Sequence, residues 1–209
     1  ASGKQVILDG KPVHHLSSLV GQFPVVVLSA ADYDITHGSP QQRRRFFNIL
    51  ASQCSSRFLN DLKEYEKVIK QRNRILWLTQ NGRINSGDEL EAWNEQLILK
   101  GCALMEFRSK LVSEMAAVLL HHYRSISGDA TEPFTITYEP NVEAAPGTDP
   151  RDRFVEKLRK MKGLEIARGV SMVGPHRDEF KLCVGERTLR QYGSRGEHKS
   201  ALISIKAAE

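Results

Sequence analysis

Phe58-Leu59-Asn60-Asp61-Leu62-Lys63-Glu64-Tyr65-Glu66-Lys67-Val68-Ile69-Lys70-Gln71-Arg72-Asn73-Arg74-Ile75-Leu76 is the stretch that decides the fold. Within it Phe58, Leu62, Tyr65, Ile69, Arg72 and Leu76 alternate by four and three, the seam of a coiled coil. Much the same rhythm returns at Trp93, Leu97, Leu104, Phe107, Leu111, Val118 and His122, with an interruption near Lys100 and Gly101. Asn81-Gly82 and Ser86-Gly87 bracket a turn between the two runs. Two such helices joined by a polar turn make an antiparallel hairpin, about 30 Å or more long at roughly 1.5 Å per residue. This arm is the bulk of the chain, so the expected class is α+β and predominantly α. Residues 1–38 form a strand-bearing segment, 39–126 the arm, and 127–209 the strands and helices that return from it.

Upstream of the arm, Gln5 to Leu8 reads as a strand and Asp9-Gly10 as a hairpin turn feeding Lys11 to Val13. Pro24 introduces Val25-Val26-Val27-Leu28, a continuous apolar run expected to be a strand buried on both faces. The loop Ser29 to Asp34 follows, where Asp32 and Asp34 serve either as local caps or as functional carboxylates at a strand end. Gly38-Ser39-Pro40-Gln41-Gln42 starts a helix, with Ser39 as N-cap, Pro40 at the first position and Gln42 closing a capping box. Arg43-Arg44-Arg45 then oppose the helix dipole in its first turn. Either an anionic neighbour or internal carboxylates must compensate them.

Downstream, Gly128 ends the arm and Pro133 to Tyr138 alternates as a half-buried strand. Pro140 to Gly147 is a polar loop. Asp149 caps a helix with Pro150 at its first position and Phe154, Leu158 and Met161 on its apolar stripe. After Gly163 strands are expected at Gly169 to Val173 and Phe180 to Val184, then a Gly185-Glu186 turn and Thr188-Leu189. Last comes Tyr192-Gly193-Ser194-Arg195-Gly196-Glu197-His198-Lys199-Ser200, opening an apolar helical run. Two readings stand side by side. Ser194 with Glu197 is a capping box, and the same small hydroxyl and glycines leave backbone N–H groups free to seat a phosphate.

With 209 residues, 40% of them hydrophobic, the chain can bury a real core. Cys54, Cys102 and Cys183 are an odd set without metal-type spacing and are expected as free thiols in a reducing cytoplasm. No apolar run approaches the roughly 20 residues of a membrane span. A formal charge of +5 mildly favours a polyanionic partner, and the cationic clusters are 43–45, then Lys67, Lys70, Arg72 and Arg74, then Arg151 to Lys162. The sequence opens without Met and closes inside a helical pattern, so a piece of a longer protein is expected.

Catalytic chemistry is not in evidence. Gly174-Pro175-His176-Arg177-Asp178 holds an imidazole and a carboxylate but no nucleophile, so a structural turn with an Arg to Asp bond is expected. His14-His15 and His121-His122 lack ligand spacing. There is no G-x-x-x-x-G-K-[ST] loop and no apolar strand ending in paired acids after the last motif, so this polypeptide alone should not turn over a nucleotide.

Taken in order, Gly38-Ser39-Pro40 with Arg43-Arg44-Arg45-Phe46, Lys70-Gln71-Arg72-Asn73, Gly174 to Asp178, and Ser194 to Lys199 resemble the RecF family of bacterial recombination mediators, across residues 5 to 209. That family resembles the head of SMC-type ABC ATPases. The resemblance implies a signature-bearing ATPase lobe carrying a helical arm, with the P-loop upstream and Walker B downstream of this chain, and a weakly hydrolytic full-length parent. It further implies that Ser194, Arg195, Gly196, Glu197 and Lys199 contact the γ-phosphate of ATP held, with Mg²⁺, by a second subunit in an ATP-dependent homodimer. Ser29 to Asp34 would sit in the Q-loop region. Arg43, Arg44, Lys70 and Arg72 become candidate contacts to double-stranded or gapped DNA, with RecR and RecO as partners in cytoplasmic recombinational repair, replication and the SOS response. The chain departs from the family's pattern at Glu197, where Gln is usual, at Ala30-Ala31 in place of Pro-Glu, and at Asn48 in place of Asp. Two other classes are set against this reading: a stand-alone coiled-coil interaction module, and an SMC-related head of another lineage with a longer arm.

Overall fold

The computed structural model describes residues 6–23, 25–85, 87–128, 132–143 and 147–209. Residues 1–5, Pro24, Ser86 and residues 144–146, on which parts of the expected first strand, second strand, turn and loop fall, lie outside that set. Order along the chain is β1 (Ile7–Leu8), β2 (Lys11–Pro12), α1 (Tyr33–His37), α2 (Pro40–Cys54), α3 (Ser56–Gln80), α4 (Gly87–Ser127), β3 (Phe134–Glu139), α5 (Pro150–Arg168), β4 (Glu179–Val184), β5 (Arg187–Thr188), α6 (Leu189–Tyr192) and α7 (Arg195–Ala207). The class is α+β and predominantly α. A sheet of order β3-β4-β5, antiparallel throughout, sets Phe134 against Val184 and Tyr138 against Phe180.

The hairpin of α3 and α4 is the framework. Phe58, Tyr65, Arg72 and Leu76 of the expected seam are buried, and Leu62 and Ile69 partly so. On α4 the buried stripe runs through Leu90, Asn94, Leu97, Leu104, Arg108 and Leu111 and then Met115, Leu119 and Tyr123. Val118, expected on the seam, is 46% exposed. A heptad holds only while two helices face each other, and α3 has 25 residues against 41 in α4. Past its partner α4 packs on β3 and α7 and follows the 3.6-residue period of a straight helix.

No interruption occurs at Lys100-Gly101, because α4 is continuous and about 60 Å long at ~1.5 Å per residue. Gly101 serves packing instead. A Cβ there would lie 2.7 Å from the Phe154 ring and 3.3 Å from Pro175, so the missing side chain lets α5 and the 175 turn close onto the arm.

Three further expectations are corrected. Val25 to Leu28 form no strand and are each more than half exposed. A β-branched run is competent for a strand, but a strand requires a neighbour, and none of the described residues supplies one. Secondly, α5 runs through Gly163 to Arg168 and ends at Gly169, whose φ of 66° is the left-handed cap. Thirdly, residues 169–173 are irregular because side chains take the bonds a ladder would have made. Asn73 Oδ1 accepts from the Ser171 N–H at 2.7 Å, Glu165 Oε1 from the Met172 N–H at 2.6 Å, and Asn141 Oδ1 from the Gly174 N–H at 3.0 Å.

The remaining elements follow their local signals. Asp9 and Gly10, at φ 48° and 75°, make the first hairpin turn. Ser39 and Asp149 cap α2 and α5. Cys54, Cys102 and Cys183 are free thiols. Among the described residues no helix is long and apolar enough to cross a membrane. One hydrophobic core draws on α1, α2, the arm, α5, the sheet and α7.

Candidate functional site

The chain enters its last helix through a constriction. The Gly193 N–H donates to Leu189 O at 2.8 Å, and a Cβ on Gly193 would lie 2.5 Å from that oxygen and 2.9 Å from the His198 ring. Only glycine fits, and it delivers Ser194 to the N-cap position with extended φ and ψ of −69° and 162°. The Glu197 N–H donates to Ser194 Oγ at 3.2 Å, and the Ser194 N–H donates to Glu197 Oε2 at 2.6 Å. The capping box is thus real, and it leaves the first amides of the helix open. Among the described residues the N–H groups of Arg195 and Gly196 have no partner. Ser194, Arg195, Gly196 and Lys199 are exposed, and Arg195 and Lys199 make no ion pair there. Beside Gly196 the space is open, since a Cβ would meet only Ser194 Oγ at 3.9 Å.

Glu197 is engaged within the cap. Its carboxylate is held by the Ser194 N–H and by Arg187, whose Nη2 donates to Oε1 at 3.3 Å, and these hold its pKa below the usual carboxylate value. Its charge is therefore met by a backbone donor and a guanidinium. Arg187 lies on β5, ten residues upstream, and sequence spacing offered no sign of the pairing.

His198 anchors the helix underneath. It is 3% exposed and stacks on the His37 ring at 3.4 Å between centroids, which in turn stacks on Tyr33 at 4.0 Å. Burial first, then the facing His37, pushes its pKa down to about 4. Its Nδ1 is buried and has no partner among the described residues. Through this stack α1 is fixed to α7. In the preceding loop the Ser29 N–H donates to Asp32 Oδ2 at 2.6 Å, so Asp32 is a local cap, and Asp34 accepts from Gln42 Nε2 at 2.5 Å.

The other candidates fall apart into two groups. Arg43 is 5% exposed and grips Glu179 with two bonds of 2.9 and 2.8 Å. Arg72 is 1% exposed and joined to Glu165 at 3.1 and 2.5 Å, to Ser171 Oγ at 2.8 Å and to Asn94 Oδ1 at 2.9 Å. Neither guanidinium can reach a DNA phosphate. The internal-carboxylate explanation of the first-turn arginines holds for Arg43. Arg44 donates to Asp178 O at 2.6 Å and is part-buried, Arg45 is exposed, and Lys70 is exposed on α3.

The Gly174 to Asp178 turn is structural, with a different arginine from the neighbouring Arg177. Arg108 Nη1 donates to Asp178 Oδ2 at 2.7 Å, joined there by the Tyr138 hydroxyl, while the Asn141 N–H donates to Oδ1 at 2.7 Å. Asn48 Oδ1 accepts from Arg108 Nη2 at 2.8 Å. His176 Nδ1 lies 2.6 Å from the Tyr65 hydroxyl and Nε2 3.0 Å from Ser171 O, and burial pushes its pKa down to about 4. A ring bonded at both nitrogens and kept neutral is a strut. Among the described residues no group of three His, Cys, Asp or Glu is placed to hold a metal ion.

No protein-family model matches the chain. Curated relatives do. The DNA replication and repair protein RecF of Salinibacter ruber is 35% identical over 211 residues, covering 99% of this chain and 51% of the relative. That of Chloroherpeton thalassium is 34% identical over 212 residues, covering 100% and 57%, and that of Roseiflexus castenholzii 35% over 213 residues, covering 99% and 54%. The chain thus spans about half the length of the curated relatives it matches. Among solved structures, the recombination mediator protein RecF-ATP in the RecFOR pathway superposes with a TM-score of 0.89 at 23% identity, over 99% of this chain and 55% of that one. The corresponding RecF-ATPrS structure gives 0.88 at 23% identity, over 96% and 54%. At that identity the likeness carries the fold alone.

Proposed function

We propose that this chain, similar to RecF proteins over the half of their length that it spans, is a member of the RecF family and the signature-bearing lobe of an ATP-dependent DNA clamp in recombinational repair. The start of α7 is its contribution to a composite nucleotide site. The observation that carries this is the open helix end, where two N–H groups and the Ser194 hydroxyl face solvent while Glu197 is tied back by Arg187. A γ-phosphate suits such a seat, since unpaired amides and the positive end of the dipole favour an anion. Ser194, Arg195 and Gly196 line the contact, Lys199 adds charge one turn on, and Glu197 holds the cap.

Here the nucleotide is carried by a second subunit, so ATP binding and dimerisation are a single event and Mg²⁺ arrives with the triphosphate. Residues 1–38 and 127–209 belong to the lobe, and 39–126 project from it. The exposed run Val25 to Leu28 becomes a strand when the remainder of the lobe supplies its neighbour. DNA contact is through phosphates, by exposed side chains such as Lys67, Lys70 and Arg74, with Arg43 fixing α2 to β4 and Arg72 fixing α3 to α4 and α5. Such binding falls steeply with salt and shows little sequence preference. RecR and RecO are the partners, and the setting is the cytoplasm.

Two substitutions test the seat in the protein extended to the length of its relatives. Ser194→Arg fills it, and Ser194→Asp keeps a good cap while placing a negative charge in it. Light scattering should show ATP-driven dimerisation lost in both, with the melting temperature held in Ser194→Asp and lowered slightly in Ser194→Arg, which gives up the cap. Dimerisation retained in both would remove the phosphate role.

A further inference from the structure

Away from α7, a cleft of about 930 Å³ opens between the N-terminal segment, α2, α3 and the 175 turn. Its outer wall is held in place at Gly21, where φ is +83° and a Cβ would lie 2.5 Å from Gln53 O at the end of α2. Leu19, Val20 and Phe23 line that wall, and Phe23 is 62% exposed. Ile49, Leu59 and Leu62 line the opposite side, with Ile49 48% exposed.

Between these apolar walls lie Arg44, Arg45 and Arg177, with Glu66 as the acid of the lining. The nearby carboxylates are already engaged, Asp178 by Arg108 and Glu179 by Arg43. Arg44 and Arg177 donate only to carbonyl oxygens, at 2.6 Å to Asp178 O and 2.9 Å to Ser171 O. Arg45 makes no ion pair among the described residues. Burial first, then the adjoining Arg108 guanidinium, lowers the pKa of Arg44, with Glu179 and Asp178 opposing them in part. Like charges brought together over apolar surface are relieved by a ligand that supplies anions and aliphatic groups at once.

We propose that this cleft is a docking site for an acidic, aliphatic-rich peptide segment of a partner protein. Carboxylates of the segment meet Arg44, Arg45 and Arg177, and its Leu, Ile or Val side chains cover Val20, Ile49 and Leu62. Leu19, Val20, Ile49, Leu59, Leu62 and Ile69 make the walls mainly aliphatic, which suits Leu, Ile or Val side chains, while Phe23 and the guanidinium groups make nucleic acid the alternative that the experiment must separate.

A random dodecapeptide phage library panned on the protein, with an Arg45→Glu/Arg177→Glu double variant as counter-selection, tests the assignment. The selected peptides should interleave Asp or Glu with aliphatic residues. Fluorescein-labelled copies should bind at least about tenfold more weakly to Arg45→Glu and to Ile49→Asp. Both positions are exposed, and melting temperatures should hold. Recovery of no peptide, peptides without acidic residues, or affinity unchanged in both variants would overturn the proposal. So would displacement of the peptide by an oligothymidylate whose own binding is lost in Arg45→Glu, which would reassign the cleft to nucleic-acid phosphates.

Discussion

Helices α2 and α7 begin alike and end up in opposite surroundings. Each opens with serine at the N-cap and a Gln or Glu three residues on, and in each the box closes through the same pair of bonds. Each then carries cations in its first turns, Arg43 and Arg44 in one, Arg195 and Lys199 in the other. In α2 the cations turn inward, to Glu179 and the Asp178 carbonyl. In α7 they stay in solvent beside unpaired amides. A cap motif therefore states where a helix starts and nothing about what its first turn faces. That is settled by which element is packed across from it, β4 for α2 and open space for α7.

If inward cations hold the fold and outward ones do not, stability should rank them. The largest loss is expected for Arg72→Met, about 3–5 kcal/mol by urea unfolding, because Glu165 would be left charged and 0% exposed. Adding Glu165→Leu should restore part of it, since an apolar pair avoids the stranded charge but leaves the Met172 N–H without its acceptor. Next, Arg43→Met should cost about 2 kcal/mol, less because Glu179 keeps some access to water. Ser39→Ala and Ser194→Ala should each cost about 1 kcal/mol, and near-equality would confirm that the two boxes are alike as caps. Arg195→Met should fall within about 0.5 kcal/mol of zero. An Arg195 as costly as Arg43 would erase the distinction between the helices.

Acid tests the anchor beneath α7. His198 and His176 both have folded pKa values of about 4, below the ordinary 6.5. Unfolded chains therefore take up protons first as pH falls. Stability is complete above about pH 6.5 and declines progressively towards pH 4. His198 faces His37 across the stack and Glu197 on its own helix, while His176 faces Arg177, Arg44 and Arg72. His198→Phe, which keeps the stack, should make the decline shallower when melting temperature is followed against pH. An identical profile would mean that protonation of His198 does not limit the acid limb.

Local signals made the helices legible before any coordinates. The seam from Phe58 to Leu76, the caps at Ser39, Asp149 and Ser194, and the alternation at Phe134 to Tyr138 are short-range patterns, and short-range geometry produces them. Residues 169–173 misled because their amides are satisfied by Asn73, Glu165 and Asn141, up to 98 positions away. Val25 to Leu28 misled in the other direction, since apolar composition announces a wish for cover without naming what supplies it. At the site, Ser194 to Lys199 stood out by type, whereas the tether from Arg187 to Glu197 and the stack of His37 on His198 depend on tertiary approach. Arg43 and Arg72 show the same limit: a guanidinium in a basic cluster reads as surface until its carboxylate is found.

The unbroken course of α4 has one more implication. At one end it forms the far tip of the hairpin, and near the other Tyr123 is close enough to Glu197 to feel its charge. A rod without a joint does not absorb displacement along its length. The tip of the hairpin and the start of α7 are therefore tied to one stiff element, and the protrusion is a lever whose short end lies beside Glu197.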